Sequence, residues 1–93
     1  LMPEVPTLSE TIAGFTIAAG WDGIFVPARV PVAAVNKIQS AIRTVIQEPK
    51  VRELLVAGGY EPVGSTPEEF RKFFLGEMNR YAEIVREAKI QPE

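Results

Sequence analysis

The feature that most constrains this chain is the long stretch opening at Thr66-Pro67-Glu68-Glu69. Thr66 offers an N-cap hydroxyl, Pro67 fills the first helical position, where its missing N–H costs nothing, and Glu69 stands at the reciprocal position of a capping box. Both carboxylates fall in the first turn, where the helix dipole favours negative charge. Phe70, Phe73, Phe74, Tyr81, Ile84, Val85 and Ala88 then recur on one wide face, with Arg80, Arg86 and Lys89 toward the C-terminal end. The pattern predicts a helix of about six turns, reaching roughly 35 Å at 1.5 Å per residue. Such a helix, with three phenylalanines on one face, needs a partner surface.

The candidates for that partner lie upstream. Thr7 with Glu10 offers a capping box for one short helical turn between Pro6 and Gly14. From Phe15 to Pro27 the pattern turns to strand: Phe15, Ile17 and Ala19 alternate with Thr16 and Ala18, and after Trp21-Asp22-Gly23 comes the apolar run Ile24-Phe25-Val26. The lack of alternation in that run is expected of a strand covered on both faces. Pro31 opens a helix whose Val35, Ile38, Ile42 and Val45 share a face, and Glu48-Pro49 ends it. Pro49 starts a shorter helix edged by Val51, Leu54 and Leu55 and stopped at Gly58-Gly59. Tyr60-Glu61-Pro62-Val63 reads as a brief strand, confined by Pro62 to a sheet edge. The order is loop, strand or strands, helix, helix, short strand, long helix. This is an α/β pattern of two or three strands with two main helices and one short one, too few strands to close a sheet. Its apolar surface calls for residues beyond these or for another copy of the chain.

Composition narrows the chemistry. At 93 residues the chain is one small domain or a piece of a larger one, and it has neither cysteine nor histidine. That removes disulfides, Cys/His zinc sites, thiol nucleophiles and imidazole bases. The net charge is −2, with Lys and Arg scattered, which argues against a nucleic-acid partner. The first residues lack the basic and apolar regions of a signal peptide, and the charge-free stretches fall short of the roughly 20 residues of a membrane helix. A beginning on Leu1-Met2 inside a Pro-rich connector reads as the middle of a protein.

Candidate functional residues are few. Asp22, the only aspartate, sits between Trp21 and Gly23 beside a bend. It reads either as a cleft residue meeting a ligand with Trp21 as apolar wall, or as a turn aspartate beside a core tryptophan. Glu68-Glu69 are adjacent on a helix and do not face each other, so capping accounts for both. Gly58, Gly59 and Gly64 match no phosphate-binding pattern. Arg29, past a strand end, reads as a carboxylate clamp or as a solvated loop residue. No nucleophile–base–orienter trio occurs, and neither a cofactor nor a metal is expected; the chain does not read as an enzyme.

Segments in register resemble a known family. Pro3-Glu4-Val5-Pro6-Thr7-Leu8-Ser9-Glu10, Gly14-Phe15 and Trp21-Asp22-Gly23-Ile24-Phe25-Val26-Pro27-Ala28 resemble the C-terminal third of the extracytoplasmic solute receptors of tripartite tricarboxylate transport systems, the Bug family. So do Glu48-Pro49-Lys50-Val51-Arg52-Glu53-Leu54-Leu55, the run from Gly58 to Phe70, and the ending Lys89-Ile90-Gln91-Pro92-Glu93. The resemblance implies a periplasmic receptor of the type II periplasmic-binding-protein fold, two α/β lobes around a cleft, with residues 1–93 as the C-terminal segment of that two-lobed receptor and supplying part of a lobe. It implies a hinge strand at about 15–27, and first-lobe helices and a short strand at about 31–90. The implied ligand is a small organic carboxylate or amino acid, passed to a membrane permease. Trp21, Asp22 and Gly23, at the hinge side, are the only implied ligand contacts here; most of the gripping loops would lie upstream. Where the family has Ala-Gly-Thr-Pro, this chain has Ala28-Arg29-Val30-Pro31, and loss of the capping threonine should cost about 1 kcal/mol. A segment of this kind is expected to form homo-oligomers. The rival reading is a small, self-associating interaction domain without ligand, pairing through Phe70, Phe74 and Tyr81.

Overall fold

The computed structural model describes residues 2–16 and 20–93. Its elements are α1 (Leu8–Thr11), α2 (Val32–Gln47), α3 (Pro49–Ala57) and α4 (Pro67–Glu87). Helix α4 starts at the expected cap: the Glu69 N–H donates to Thr66 Oγ1 at 3.2 Å and the Thr66 N–H donates to Glu69 Oε2 at 2.9 Å. At α1 the reciprocal box is absent. The Thr7 hydroxyl turns instead to Ser9 Oγ, at 2.9 Å, and Glu10 Oε1, at 3.3 Å, leaving α1 a single turn. Helix α2 has Pro31, rather than Val30, at its N-cap, and proline brings no side-chain acceptor to cap it.

The C-terminal ends of α3 and α4 close in the same way. At α3 the Tyr60 N–H reaches back to the Leu55 carbonyl at 2.9 Å and the Gly59 N–H to Val56 at 3.0 Å, with Gly59 at φ 85°. At α4 the Ile90 N–H bonds the Val85 carbonyl and the Lys89 N–H bonds Arg86. There a lysine at φ 52° takes the left-handed position that glycine usually fills.

The expected α/β lobe with two or three strands is not what forms. Among the described residues there is no strand, and the architecture is helical. Of the strand expected at 15–27, Ile17, Ala18 and Ala19 lie outside the described residues. Gly20–Val26 has no assigned secondary structure and makes no backbone hydrogen bond to another described residue. Its neighbour is the aromatic face of α4, which offers rings rather than a row of backbone donors and acceptors. Tyr60–Val63, with Pro62 lacking an N–H, is likewise in no ladder. An extended segment becomes a strand only when another backbone pairs with it, and none of the described residues does so.

Helix α2 packs on α3 and on α4. The loop before α4 is tied down by Gln39, whose amide Nε2 donates to the carbonyls of Gly64 and Ser65, each at 3.2 Å. Beneath that loop Gly64, at φ 60°, lies so near Ile46 that a Cβ would stand 2.6 Å from its Cδ1. The layer covers itself only on one side. No apolar side chain among the described residues is fully buried, and Ile24, Leu54 and Val63 are each about two-thirds or more exposed. The accessible surface is 8465 Å², whereas a self-contained globule of this mass would keep about 5,300 Å².

Candidate functional site

The segment Trp21-Asp22-Gly23 is held by α4. Phe70, Phe73 and Phe74 stand one turn apart or side by side on the helix, so their rings form a single aromatic bed. The Trp21 indole meets that bed edge-on, with centroid distances of 5.7, 5.4 and 6.0 Å to Phe70, Phe73 and Phe74. Phe25 returns to it at 5.5 Å from Phe70 and 5.3 Å from Phe74. Each edge-to-face pair of this kind contributes about 0.5–1.5 kcal/mol beyond its buried area. Between the two anchors the chain passes so close to Phe70 that a Cβ on Gly23 would overlap the ring. A glycine is therefore required here for proximity, without any need for an unusual φ.

The three candidate residues thus differ in surroundings. Trp21 is half-buried against the bed, Gly23 sets one side against Phe70, and Asp22 is exposed. All three line an open trough bounded by residues 20–28, by α2 through Val35, Ile38 and Ile42, and by the start of α4. Gln39, Glu61, Thr66, Glu69 and Arg71 bring polar groups to it; Gln39 is engaged with the loop carbonyls and Thr66 with Glu69. Asp22 has no hydrogen-bond or ion-pair partner among the described residues. Arg29 is exposed in the turn before α2 and does not line the trough. Glu68 pairs loosely with Lys72, at 3.9 Å on the solvent side, so Glu68 and Glu69 serve the helix end.

One polar group escapes the sequence reading. Glu77, 9% exposed, is the most enclosed of the described residues. Arg80 bonds both its carboxylate oxygens, Nε to Oε1 at 3.0 Å and Nη2 to Oε2 at 2.7 Å, and its guanidinium lies 4.6 Å from the centroid of the Tyr81 ring. The Arg80 hydrogen bonds hold the Glu77 carboxyl below its ordinary value, against a desolvation cost, and Trp21 adds a smaller pull in the same direction. The signal was present: Glu77 follows Phe73 and Phe74 at helical spacings, a charge inside the apolar stripe. Glu69 is also held low, chiefly by the Thr66 N–H and then by the Thr66 hydroxyl.

Among the described residues no group of three or more His, Cys, Asp or Glu side chains is placed to hold a metal ion. No described helix is long and apolar enough to cross a membrane. What the segment and trough offer is aromatic contact, shape and three charged side chains, Asp22, Glu61 and Arg71, without a side-chain partner among the described residues. Across residues 1–90 the chain matches the family described as "Tripartite tricarboxylate transporter family receptor", and it belongs to that family. It is 31% identical over 91 residues to a UPF0065 protein in the tcbD-tcbE intergenic region of Pseudomonas sp. (strain P51), covering 96% of this chain and 27% of that protein. It is 31% identical over 85 residues to protein BugT of Bordetella pertussis, covering 91% of this chain and 26% of that protein. A UPF0065 protein in the TAR-I ttuE-ttuC' intergenic region of Agrobacterium vitis is 29% identical, with 95% of this chain and 26% of that protein covered. The chain thus spans about a quarter of the length of the curated relatives it matches. No solved structure matches it significantly.

Proposed function

We propose that residues 1–93 are the C-terminal part of an extracytoplasmic receptor. It captures a small carboxylate-bearing solute in the periplasm and delivers it to the membrane permease of a tripartite tricarboxylate-type transporter. The function is non-covalent capture without a cofactor. The observation that carries this reading, beside the family match, is the uncovered apolar layer: the chain keeps about 3,100 Å² more surface in water than a closed globule of its mass. A helical layer with one finished side fits a chain a quarter the length of its relatives.

In this reading Trp21, Asp22 and Gly23 face the solute at the hinge side of the cleft. Asp22 repels a solute carboxylate and suits the ammonium of an amino acid or a hydroxyl; the carboxylate itself is gripped by groups outside these residues. Calorimetry with citrate, succinate and glutamate tests the proposal on the 93-residue chain and on the longer receptor that carries it. The longer protein is expected to bind one of these probes and the short chain none. Micromolar affinity from the short chain alone shows that the cleft is misplaced, and a longer protein that binds no carboxylate at all sinks the reading.

A further inference from the structure

The trough is too large, and of the wrong charge, for a small carboxylate to fill it. It holds about 1880 Å³, whereas small-ligand pockets run to about 300–1,000 Å³. Among the described residues its charged lining is three carboxylates, Asp22, Glu61 and Glu69, against the single guanidinium of Arg71. That balance repels a carboxylate-bearing solute. The floor is apolar: Val35, Ile38, Ile42 and Ile46 fall along one face of α2, joined by Phe25 and Val63, both more than half exposed.

Two loop walls of the trough also carry spare backbone. Residues 24–26 and 61–63 line it, and none of their N–H or carbonyl groups has a partner among the described residues. Water serves those groups while the trough is open. An occupant that drives water from the floor must bring donors and acceptors of its own along both walls. A small solute cannot do so; a stretch of polypeptide can. The surplus surface sets the scale. At about 3,100 Å² it is about four times the roughly 800 Å² that one partner covers in an ordinary interface. A second copy docked through a patch of that size leaves most of the layer wet. The cover of sufficient size is the rest of the receptor: this chain accounts for 27% and 26% of two of its relatives, so about three quarters of their length lies outside it.

We propose that the trough is a seat for the receptor's own chain. An apolar segment from outside residues 1–93 lies on the α2 floor and bonds the free backbone groups of 24–26 and 61–63. The identity of this occupant rests on the receptor reading above. The seat is filled before any solute arrives, and the solute is left with the Trp21-Asp22-Gly23 end of the segment.

Hydrogen exchange on the dilute 93-residue chain and on the longer receptor that carries it tests the seat. In the short chain the amides of Ile24, Phe25, Val26, Glu61 and Val63 are expected to exchange almost as fast as in an unfolded peptide. In the longer receptor, without solute, they are expected to slow by about a hundredfold or more. Hydroxyl-radical oxidation of Phe25 and Tyr60, 61% and 52% exposed in the short chain, should fall alongside. Citrate, succinate or glutamate should leave both readings unchanged. Protection that appears only with one of these probes gives the trough to the solute, and protection that falls on dilution of the longer receptor gives it to a second copy; either overturns the proposal. So does rapid exchange in the longer receptor under all conditions, or slow exchange with both rings still open to oxidation. The receptor reading fails separately: full protection in a longer protein that binds no probe by calorimetry leaves the seat filled and removes the solute.

Discussion

From the middle of α2, the Gln39 amide donates to two successive carbonyls, Gly64 and Ser65, at 3.2 Å each. These bonds set the angle at which the chain turns from the loop into α4, because Thr66, the N-cap, follows at once. Substitution by leucine keeps volume but leaves two half-buried carbonyls without their donor. Gln39→Leu should therefore destabilise the chain by about 1–3 kcal/mol, the cost of polar groups left unpaired. Urea denaturation measures it, and hydrogen exchange of the Thr66 and Phe70 amides should quicken alongside. An unchanged midpoint would show that the loop holds itself.

Gly64 answers for the other side of the same turn. Its φ of 60° lies in the left-handed region, and Ile46 Cδ1 occupies the space a side chain needs. Gly64→Ala should lose about 1–2 kcal/mol from backbone conformation alone, with a steric cost in addition. Adding Ile46→Val to the Gly64→Ala variant separates the two: it should recover the steric part and leave the conformational part in place. Full recovery in the double variant, measured by thermal melting, would mean that backbone strain plays no role.

The acid side of the stability profile follows from Glu69 and Glu77. Both carboxyls are held below the ordinary value of 4.5 in the folded chain, Glu69 by the Thr66 N–H and Glu77 by Arg80. Once unfolded they bind protons more readily, so folding stability rises with pH through this range. Their contribution is fully present above the unfolded value and is lost as pH falls below about 4.5 through the depressed folded values. Glu69→Gln and Glu77→Gln should each flatten the acid limb of stability against pH and leave the neutral-to-alkaline slope alone. A limb of unchanged steepness in both variants contradicts the assignment.

Where the sequence reading succeeded, the reason is local. The cap of α4 is encoded in four consecutive residues, and Gly58-Gly59 marks the end of α3 because a left-handed residue is needed there. Where it failed, the deciding information was not local. Ile24-Phe25-Val26 has strand composition, but a strand is a property of two segments, and its neighbour among the described residues is the ring face of Phe70 and Phe74. The same limit hid Gln39, whose polar side chain on α2 looks like a solvated one until the loop beside Ser65 is placed. Glu77 was legible in principle, as a charge at the spacing of the phenylalanines. The candidate triplet divides similarly: Trp21 and Gly23 both read as packing residues once α4 is in place, and Asp22 alone is left without a structural task.

Gly23 tests how tightly that triplet is seated. A methyl group there meets the Phe70 ring rather than a flexible side-chain tip, so Gly23→Ala must lift the segment off α4. Trp21 emission should shift to the red, and the loss of its aromatic contacts should cost about 1–3 kcal/mol. Phe70→Leu on the same background opens the space and should return the emission toward the native position. Persistence of the shift in the double variant would indicate that Gly23 is needed for backbone freedom instead.

The exposed layer makes the last prediction. Phe25, Leu54 and Val63 are each more than half exposed, and no apolar side chain among the described residues is fully buried. A surface this apolar either meets its partner or meets itself. The 93-residue chain is therefore expected to self-associate, with an apparent mass by light scattering that rises with concentration and falls on addition of urea below the unfolding range. Phe25→Ser should weaken the association while leaving the helices, since Phe25 lies outside all four. If the chain stays monomeric at high concentration with its helical signal intact, the trough closes from within, and the inference that the layer belongs to a larger receptor loses its physical support.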